Sequence, residues 1–249
     1  MKISAIVLTK NEEDNIEKCL ERLTFCDEII VIDDNSTDDT AVLAKNIGAK
    51  VYSRSLNGDF ASQRNFGLEK AKSEWVLFID ADEIVTPSLR EEIKQMGNEQ
   101  IYKYSGFYIK RQDFFLGKTL KYGEAGNIKL LRFARKGKAR WKRKVHEYWD
   151  IDGKTKTLEN PLVHNSHPNL KQLINSLDSW SNLHALENKS EGKSSNLLKI
   201  ITFPSAHFVK NYFFKKGFLD GVHGFTFAIF ISFHSFLSWS KLWLNQKKD

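Results

Sequence analysis

Hydrophobic and polar positions change period several times along the first hundred residues, and each change marks an element. Ile3–Thr9 is short and almost wholly apolar, the pattern of a strand buried on both faces. From residue 12 to about 23, Ile16, Leu20 and Leu23 recur at helical spacing. Glu28-Ile29-Ile30-Val31-Ile32 reads as a second buried strand that ends at Asp33-Asp34. Ser36 and Asp39 have the spacing of a capping box, which predicts a helix through Ile47, closed by Gly48. Residues 49–53 form a third strand, and Asp59 is placed to cap a helix over 60–71. Trp75-Val76-Leu77-Phe78-Ile79 is a fourth strand running straight into Asp80-Ala81-Asp82-Glu83. Thr86-Pro87 then opens a helix, with the proline where its missing N–H does no harm.

This alternation predicts an α/β fold built on a doubly wound, mostly parallel sheet. Ligands of such sheets bind beyond the carboxyl ends of the strands. Asp33-Asp34 and Asp80-Asp82 both fall at such ends, so they are expected to share one site. The second half changes character. Residues 104–150 hold glycine-containing β-prone pieces such as Gly106-Phe107-Tyr108-Ile109 and Lys129-Leu130-Leu131-Arg132-Phe133. Pro161 and Pro168 bracket a connection, and helices are predicted over 169–188, 195–216 and 218–244, a helical C-terminal appendage. No internal repeat or low-complexity tract occurs.

With 249 residues, 41% of them hydrophobic, the chain can bury a full core, which excludes global disorder. The cysteines, Cys19 and Cys26, form no disulfide framework and point to a reduced, cytoplasmic setting. The first apolar run is too short for a signal peptide and is closed at once by Lys10, Glu12, Glu13 and Asp14. The net charge of +7 hides a division. Residues 1–100 are acidic overall, whereas residues 103–144 carry 14 basic against 2 acidic side chains. An acidic half beside a basic strip suggests a cation site next to an anion-binding surface.

Asp80-Ala81-Asp82 places two carboxylates close together on an extended segment. Hard carboxylate oxygens suit Mn²⁺ or Mg²⁺, which can neutralise the charge that grows on a leaving diphosphate. An isolated D-x-D is weak evidence, but its position at the end of a buried strand strengthens it. At the end of the second strand, Asp33 or Asp34 can accept hydrogen bonds from a nucleotide's base or ribose.

Ile6-Val7-Leu8-Thr9-Lys10-Asn11-Glu12, Val31-Ile32-Asp33-Asp34-Asn35-Ser36-Thr37-Asp38, Gln63-Arg64-Asn65-Phe66-Gly67-Leu68 and Phe78-Ile79-Asp80-Ala81-Asp82-Glu83 together resemble the ordered motifs of glycosyltransferase family 2. Val145-His146-Glu147 and Gly217-Phe218-Leu219-Asp220-Gly221 are similar to a bacterial subgroup that includes lipopolysaccharide core β-1,4-glucosyltransferases. The resemblance implies a GT-A-like fold and an inverting transfer from a nucleoside-diphosphate sugar, with a UDP-sugar carrying glucose as the expected donor. It implies that Thr9, Asn11 and Glu12 lie near the nucleotide and that Asp34 or Asp33 reads the base. Arg64 would contact base or phosphates, Asp80 the ribose and metal region, and Asp82 would be the principal metal ligand. Residues 1–165 would then be the catalytic domain, 1–100 its nucleotide-sugar half and 101–165 its acceptor half, with 166–249 a helical region.

An inverting transfer needs a general base, and Glu147, just beyond the basic strip, is the candidate. A surface glutamate paired with Arg143 or Lys144 is the alternative. Of His146, His164 and His167, His164 best matches the histidine that completes the metal's coordination in relatives. The strip of Arg132, Arg135, Lys136, Lys138, Arg140, Lys142, Arg143 and Lys144 could hold an anionic glycolipid acceptor or face an anionic leaflet. It carries no nucleic-acid motif, and Trp141 is its one tryptophan, so nucleic acid is not the expected partner. Residues 225–243 are rich in Phe and Trp, with Lys215, Lys216, Lys241, Lys247 and Lys248 around them. His234 and four serines make this stretch polar for a spanning helix, so a helix lying on the inner face of the membrane is expected, with a helix packed on the domain or on a second subunit as the alternative. Two other readings compete: a non-catalytic nucleotide- or nucleic-acid-binding module, and a nucleotidyltransferase. The second normally has a glycine-rich loop after the first strand, where Thr9-Lys10-Asn11-Glu12 has no glycine.

Overall fold

The computed structural model describes residues 1–144, 147–167 and 170–246. Val145, His146, Pro168, Asn169, Lys247 and Lys248 lie outside these, as does the His167 side chain. The chain divides into two compact units, one of residues 1–111 and 129–164, the other of residues 112–128 and 165–249.

The first unit opens as β1 (Ile3–Thr9), α1 (Ile16–Glu21), β2 (Glu28–Asp33), α2 (Thr40–Asn46), β3 (Lys50–Ser53), α3 (Phe60–Lys70) and β4 (Trp75–Asp80). These strands lie in the order β3-β2-β1-β4, and every neighbouring pair is parallel. Both faces of β1 and β4 are covered, as the unbroken apolar runs require. Ala5, Val7, Leu77 and Ile79 pack with Ile16 and Leu20 on one side. Ile6, Val76 and Phe78 pack with Ile30, Ile32 and Leu68 on the other. Helix α3 can approach the sheet because Gly67 has no side chain: a Cβ there would stand 2.6 Å from Ile6 Cγ2.

Beyond β4 come β5 (Glu83–Val85), α4 (Pro87–Lys94), α5 (Asn98–Lys103), β6 (Gly106–Phe115), β7 (Lys118–Thr119), β8 (Ile128–Arg135), β9 (Ala139–Lys142), β10 (Tyr148–Ile151), β11 (Thr155–Thr157) and β12 (Leu162–His167). The sheet continues from β4 through β8, β6 and β12 to β5, with β4–β8 and β12–β5 antiparallel. A separate antiparallel pair, β9–β10, sets Trp141 opposite Trp149. The two indoles stack at 5.3 Å, and Phe78 meets both edge-on.

Three local expectations need correction. The first helix starts at Ile16, not residue 12, because Asn11 takes a left-handed backbone (φ 53°) and residues 12–15 form turns. Ser36 caps no helix: its hydroxyl and N–H both bond the Asp33 carboxylate, and α2 begins at Thr40. The acidic run after β4 leads first into β5, whose apolar Ile84 and Val85 pair with β12.

In the second unit, α6 (Leu170–Ser190), α7 (Leu197–Val209) and α8 (Val222–Gln246) follow one another, with one π-helical turn at Lys210–Phe214 and a 3-10 turn at Gly217–Asp220. Buried Asp220 accepts the N–H groups of Lys121 and Tyr122 at 3.0 and 2.9 Å. Gly224 lets α8 pass over this turn, since a Cβ there would lie 1.9 Å from the Gly217 carbonyl oxygen. Phe115, Leu120, Ala125 and Leu173 form a core with Phe227 and Phe230 of α8.

Candidate active site

Parallel pairing brings the acidic strand ends together: Thr9 lies opposite Asp33, and Leu8 opposite Asp80. The segment after β1 is tied to the segment after β2. Asn11 N–H donates to Ser36, Asn11 Oδ1 accepts from Thr37 N–H, and Glu12 N–H donates to Thr40. The Asn11 amide thus holds a loop.

The two aspartates of β2 differ. Asp33 is buried, and Ser36 occupies both its oxygens. Asp34 accepts Leu56 N–H on Oδ1 and the exposed Lys10 ammonium on Oδ2, both at 2.8 Å. Only the Asp34–Lys10 pair can exchange for a ligand without unmaking a turn.

Arg64 projects from α3 into the centre of the cluster, with its guanidinium 4.7 Å from the Trp141 ring. Its Nε donates to Glu147 Oε1 and one terminal nitrogen to Asp80 Oδ1, each at 2.9 Å. The β9–β10 pairing sets Tyr148 opposite Lys142, with Glu147 directly before it. The Arg64 Nη1 and Thr9 Oγ1 atoms are buried without a hydrogen-bond partner among the described residues. Such atoms mark places where a ligand or water completes a site.

Arg132 was expected to face an anionic acceptor. It is instead buried, and it bonds both Asp80, through Oδ2, and Glu83 Oε1. Glu83 is fully buried and also accepts Asp80 N–H at 3.0 Å. Burial alone would raise the Asp80 carboxyl, but Arg132 and Arg64 overcome it and hold the group well below the usual carboxylate range. Burial pushes Glu83 up, and Asp80 and Asp82 add to this against the pull of Arg132. Glu83 was not singled out from the sequence, and Arg132 was placed on the acceptor strip and not in this cluster. The signal available was a glutamate after D-x-D and an arginine flanked by the apolar Leu131 and Phe133 in a strand.

Asp80 is engaged by two arginines, whereas Asp82 stands beside a histidine. Its Oδ2 lies 3.0 Å from His164 Nε2, set there by the β12–β5 pairing of His164 with Glu83. Among the described residues no three His, Cys, Asp or Glu side chains converge on a metal site. Asp82 and His164 nevertheless fit a cation that arrives with a diphosphate, because phosphate oxygens supply the remaining ligands. Excess negative charge is evident nearby. Burial pushes the Glu12 carboxyl up to about 7 against its bond from Asn15, and Asp82, Asp38 and Asp14 add to the rise.

The rest of the basic strip does not form one face. Arg135 bonds the Ile101 carbonyl and pairs with Glu74, Lys136 bonds the Ala71 carbonyl, and Lys138 and Lys142 pair with Asp152 and Asp150. Arg140, Arg143 and Lys144 join Arg54 around a cavity of about 400 Å³ between α3 and β9, which Asp59 and Glu69 also line.

The family model for glycosyl transferase family 2 matches residues 4–151. The chain belongs to glycosyl transferase family 2, its fold is of the GT-A kind, and it is a glycosyltransferase. An uncharacterized glycosyltransferase of Rickettsia typhi is 30% identical over 97% of this chain and 86% of its own length. The lipopolysaccharide core biosynthesis glycosyltransferase LpsC of Rhizobium meliloti is 29% identical over 97% of this chain and 92% of its own. Among solved structures, glucosyl-3-phosphoglycerate synthase of Mycobacterium tuberculosis superposes with a TM-score of 0.47 at 18% identity, over 69% of this chain and 73% of that one.

Proposed function

We propose that this chain is a metal-dependent, inverting hexosyltransferase. It moves a sugar, with glucose as the leading case, from a UDP-sugar to a hydroxyl of an anionic glycolipid such as lipopolysaccharide inner core. The likeness to LpsC supports the acceptor class. The observation that carries the reading is Arg64, which ties Glu147 to Asp80 beside the Asp82–His164 pair.

Asp34 reads the base by exchanging Lys10 for it, with Thr9 and Glu12 beside the nucleotide. Arg64 offers Nη1 to the phosphates. Asp82 and His164 would hold Mn²⁺ or Mg²⁺, whose chemistry is to neutralise charge on the departing diphosphate. Glu147 takes the proton of the acceptor hydroxyl as that oxygen attacks the anomeric carbon, and the bond to the diphosphate breaks on the opposite face. Arg64 and Arg132 hold Asp80 ionised and fixed, so Arg64 keeps its orientation through the transfer. The cavity lined by Arg54, Arg140, Arg143 and Lys144 takes an anionic group of the acceptor. This work takes place at the cytoplasmic face of the membrane.

Release of nucleoside diphosphate from a panel of nucleotide sugars, with Mn²⁺, with Mg²⁺ and with chelator, tests this. Release from one donor, lost in chelator and in Asp82→Asn, is expected. No release, together with no metal-dependent nucleotide binding by calorimetry, overturns the reading.

A further inference from the structure

The helical unit keeps an apolar core, yet the outer face of its long helix is apolar as well. Helix α8 turns Gly224, Ala228, Ser235 and Ser238 inward, while Phe225, Ile229, Phe233 and Phe236 form an exposed stripe at helical spacing. Apolar exposure continues in α7 and the following turns, where Leu197 is 71% exposed and Phe214 80%, and at the start of α8, where Val222 is 78% exposed. In a water-facing unit large apolar residues lie mostly inside, and contiguous apolar surface on this scale marks an interaction face.

The hydroxyls of these helices bond backbone carbonyls. Thr202 bonds the Leu198 carbonyl, Ser205 that of Ile201, Thr226 that of Val222 and Ser238 that of His234, all at 2.8 or 2.9 Å. Ser232 bonds the Pro204 carbonyl, across from α8 to α7. Side chains satisfied in this way need no water, and small residues between closely packed helices are the pattern favoured in lipid. The charge is one-sided: residues 193–246 carry six lysines, and Asp220, buried, is the single acid.

We propose that α7, the turns over residues 210–220 and the outer face of α8 form an in-plane anchor that sinks into the headgroup–acyl boundary of an anionic lipid surface. The apolar stripe provides the insertion. Lys210, Lys215 and Lys216 meet the anionic headgroups. A symmetric self-interface through the same face would set Lys210 and Lys216 against their own copies, while Lys215 already pairs with Glu124 at 3.6 Å.

Although α8 is long and apolar enough to cross a bilayer by length and composition, it lies in the surface. Its other side is committed to polar α6. Lys241 donates to the Asp178 carbonyl and carboxylate at 2.8 Å and to Ser181 at 2.7 Å, and His234 stacks on His184. Spanning would pull these groups into hydrocarbon or break the contacts.

The proposal deepens the membrane-face reading above, and its test does not depend on catalysis. The full chain is floated with vesicles of phosphatidylcholine alone and with 30 mol% phosphatidylglycerol, a composition set at roughly physiological anionic content. Binding to the anionic vesicles, weakened by salt and extracted by alkaline carbonate, is expected. Phe225→Ser/Phe233→Ser should lower the bound fraction about tenfold or more, and Lys210→Glu/Lys216→Glu should abolish the preference for anionic lipid. Both variants should keep wild-type circular dichroism and donor hydrolysis. Failure to float, with or without a stable dimer by light scattering, overturns the proposal. So does resistance to carbonate, which would mean a spanning helix. Flotation without donor hydrolysis would instead count against the transferase reading alone.

Discussion

Arg132→Met tests the centre of the site. In the wild type one buried guanidinium bonds Asp80 and Glu83, and Arg64 bonds Asp80 from the other side. Methionine keeps much of the volume and removes the charge, leaving a fully buried Glu83 with the Asp80 N–H and a more distant Arg111, at 3.9 Å. Stranding a buried charge costs about 3–5 kcal/mol, more than the net worth of the intact pair, because the partner's desolvation is no longer offset. The double variant Arg132→Met/Glu83→Gln removes the stranded charge while keeping an acceptor for the Asp80 N–H. It should recover about 2 kcal/mol or more of the loss. Urea unfolding followed by tryptophan fluorescence measures all three proteins, and Trp75, Trp141 and Trp149 are buried reporters in this unit. Nucleotide binding to Arg132→Met should also fall, since Arg64 would then have to neutralise Asp80 alone. A single variant within about 1 kcal/mol of wild type, or a double variant no better than the single, would show that Arg132 does not hold this cluster together.

Glu147→Gln keeps an acceptor for Arg64 and should lower transfer by about 10²-fold or more while donor binding persists; unchanged transfer would remove its role as base. Gly67→Ala should destabilise by about 1–3 kcal/mol, because its Cβ would meet Ile6 Cγ2 at 2.6 Å, and thermal unfolding no lower than wild type would contradict this. Glu28 is partly buried, and Lys50, Ser4 and the Lys72 N–H outweigh its burial and hold its carboxyl down, to about 2. Its contribution, about 2 kcal/mol after allowance for solvent around Lys50, is complete above the ordinary value near 4.5 and lost as pH falls toward 2. Glu28→Gln should therefore narrow the stability gap to wild type as pH is lowered through this window, and a gap that does not change with pH would exclude the mechanism.

The sequence by itself determined the order of elements from β1 to β4. Uninterrupted apolar runs specify strands buried on two faces, and helical periodicity, Asp59, Thr86-Pro87 and Gly48 fix the helices between them. Parallel strands separated by helices have one chemical consequence, that their carboxyl ends meet, so Asp33-Asp34 and Asp80-Asp82 could be assigned to one place from spacing alone. What the sequence did not decide was which polar groups satisfy one another there. Asp33 and Asp34 look alike in the chain, yet Ser36 consumes one and Lys10 leaves the other exchangeable. Arg132 looks like one more cation in a basic run, yet strand alternation turns it inward onto Glu83 while Lys136 and Lys138 serve outer carbonyls and carboxylates. Glu147 reaches Arg64 across 83 positions of sequence only because Trp141 and Trp149 stack and close β9 on β10. Periodicity is a property of neighbours along the chain and is legible there. Charge pairing in a buried site depends on which distant side chains share a desolvated volume, and only the tertiary structure sets that.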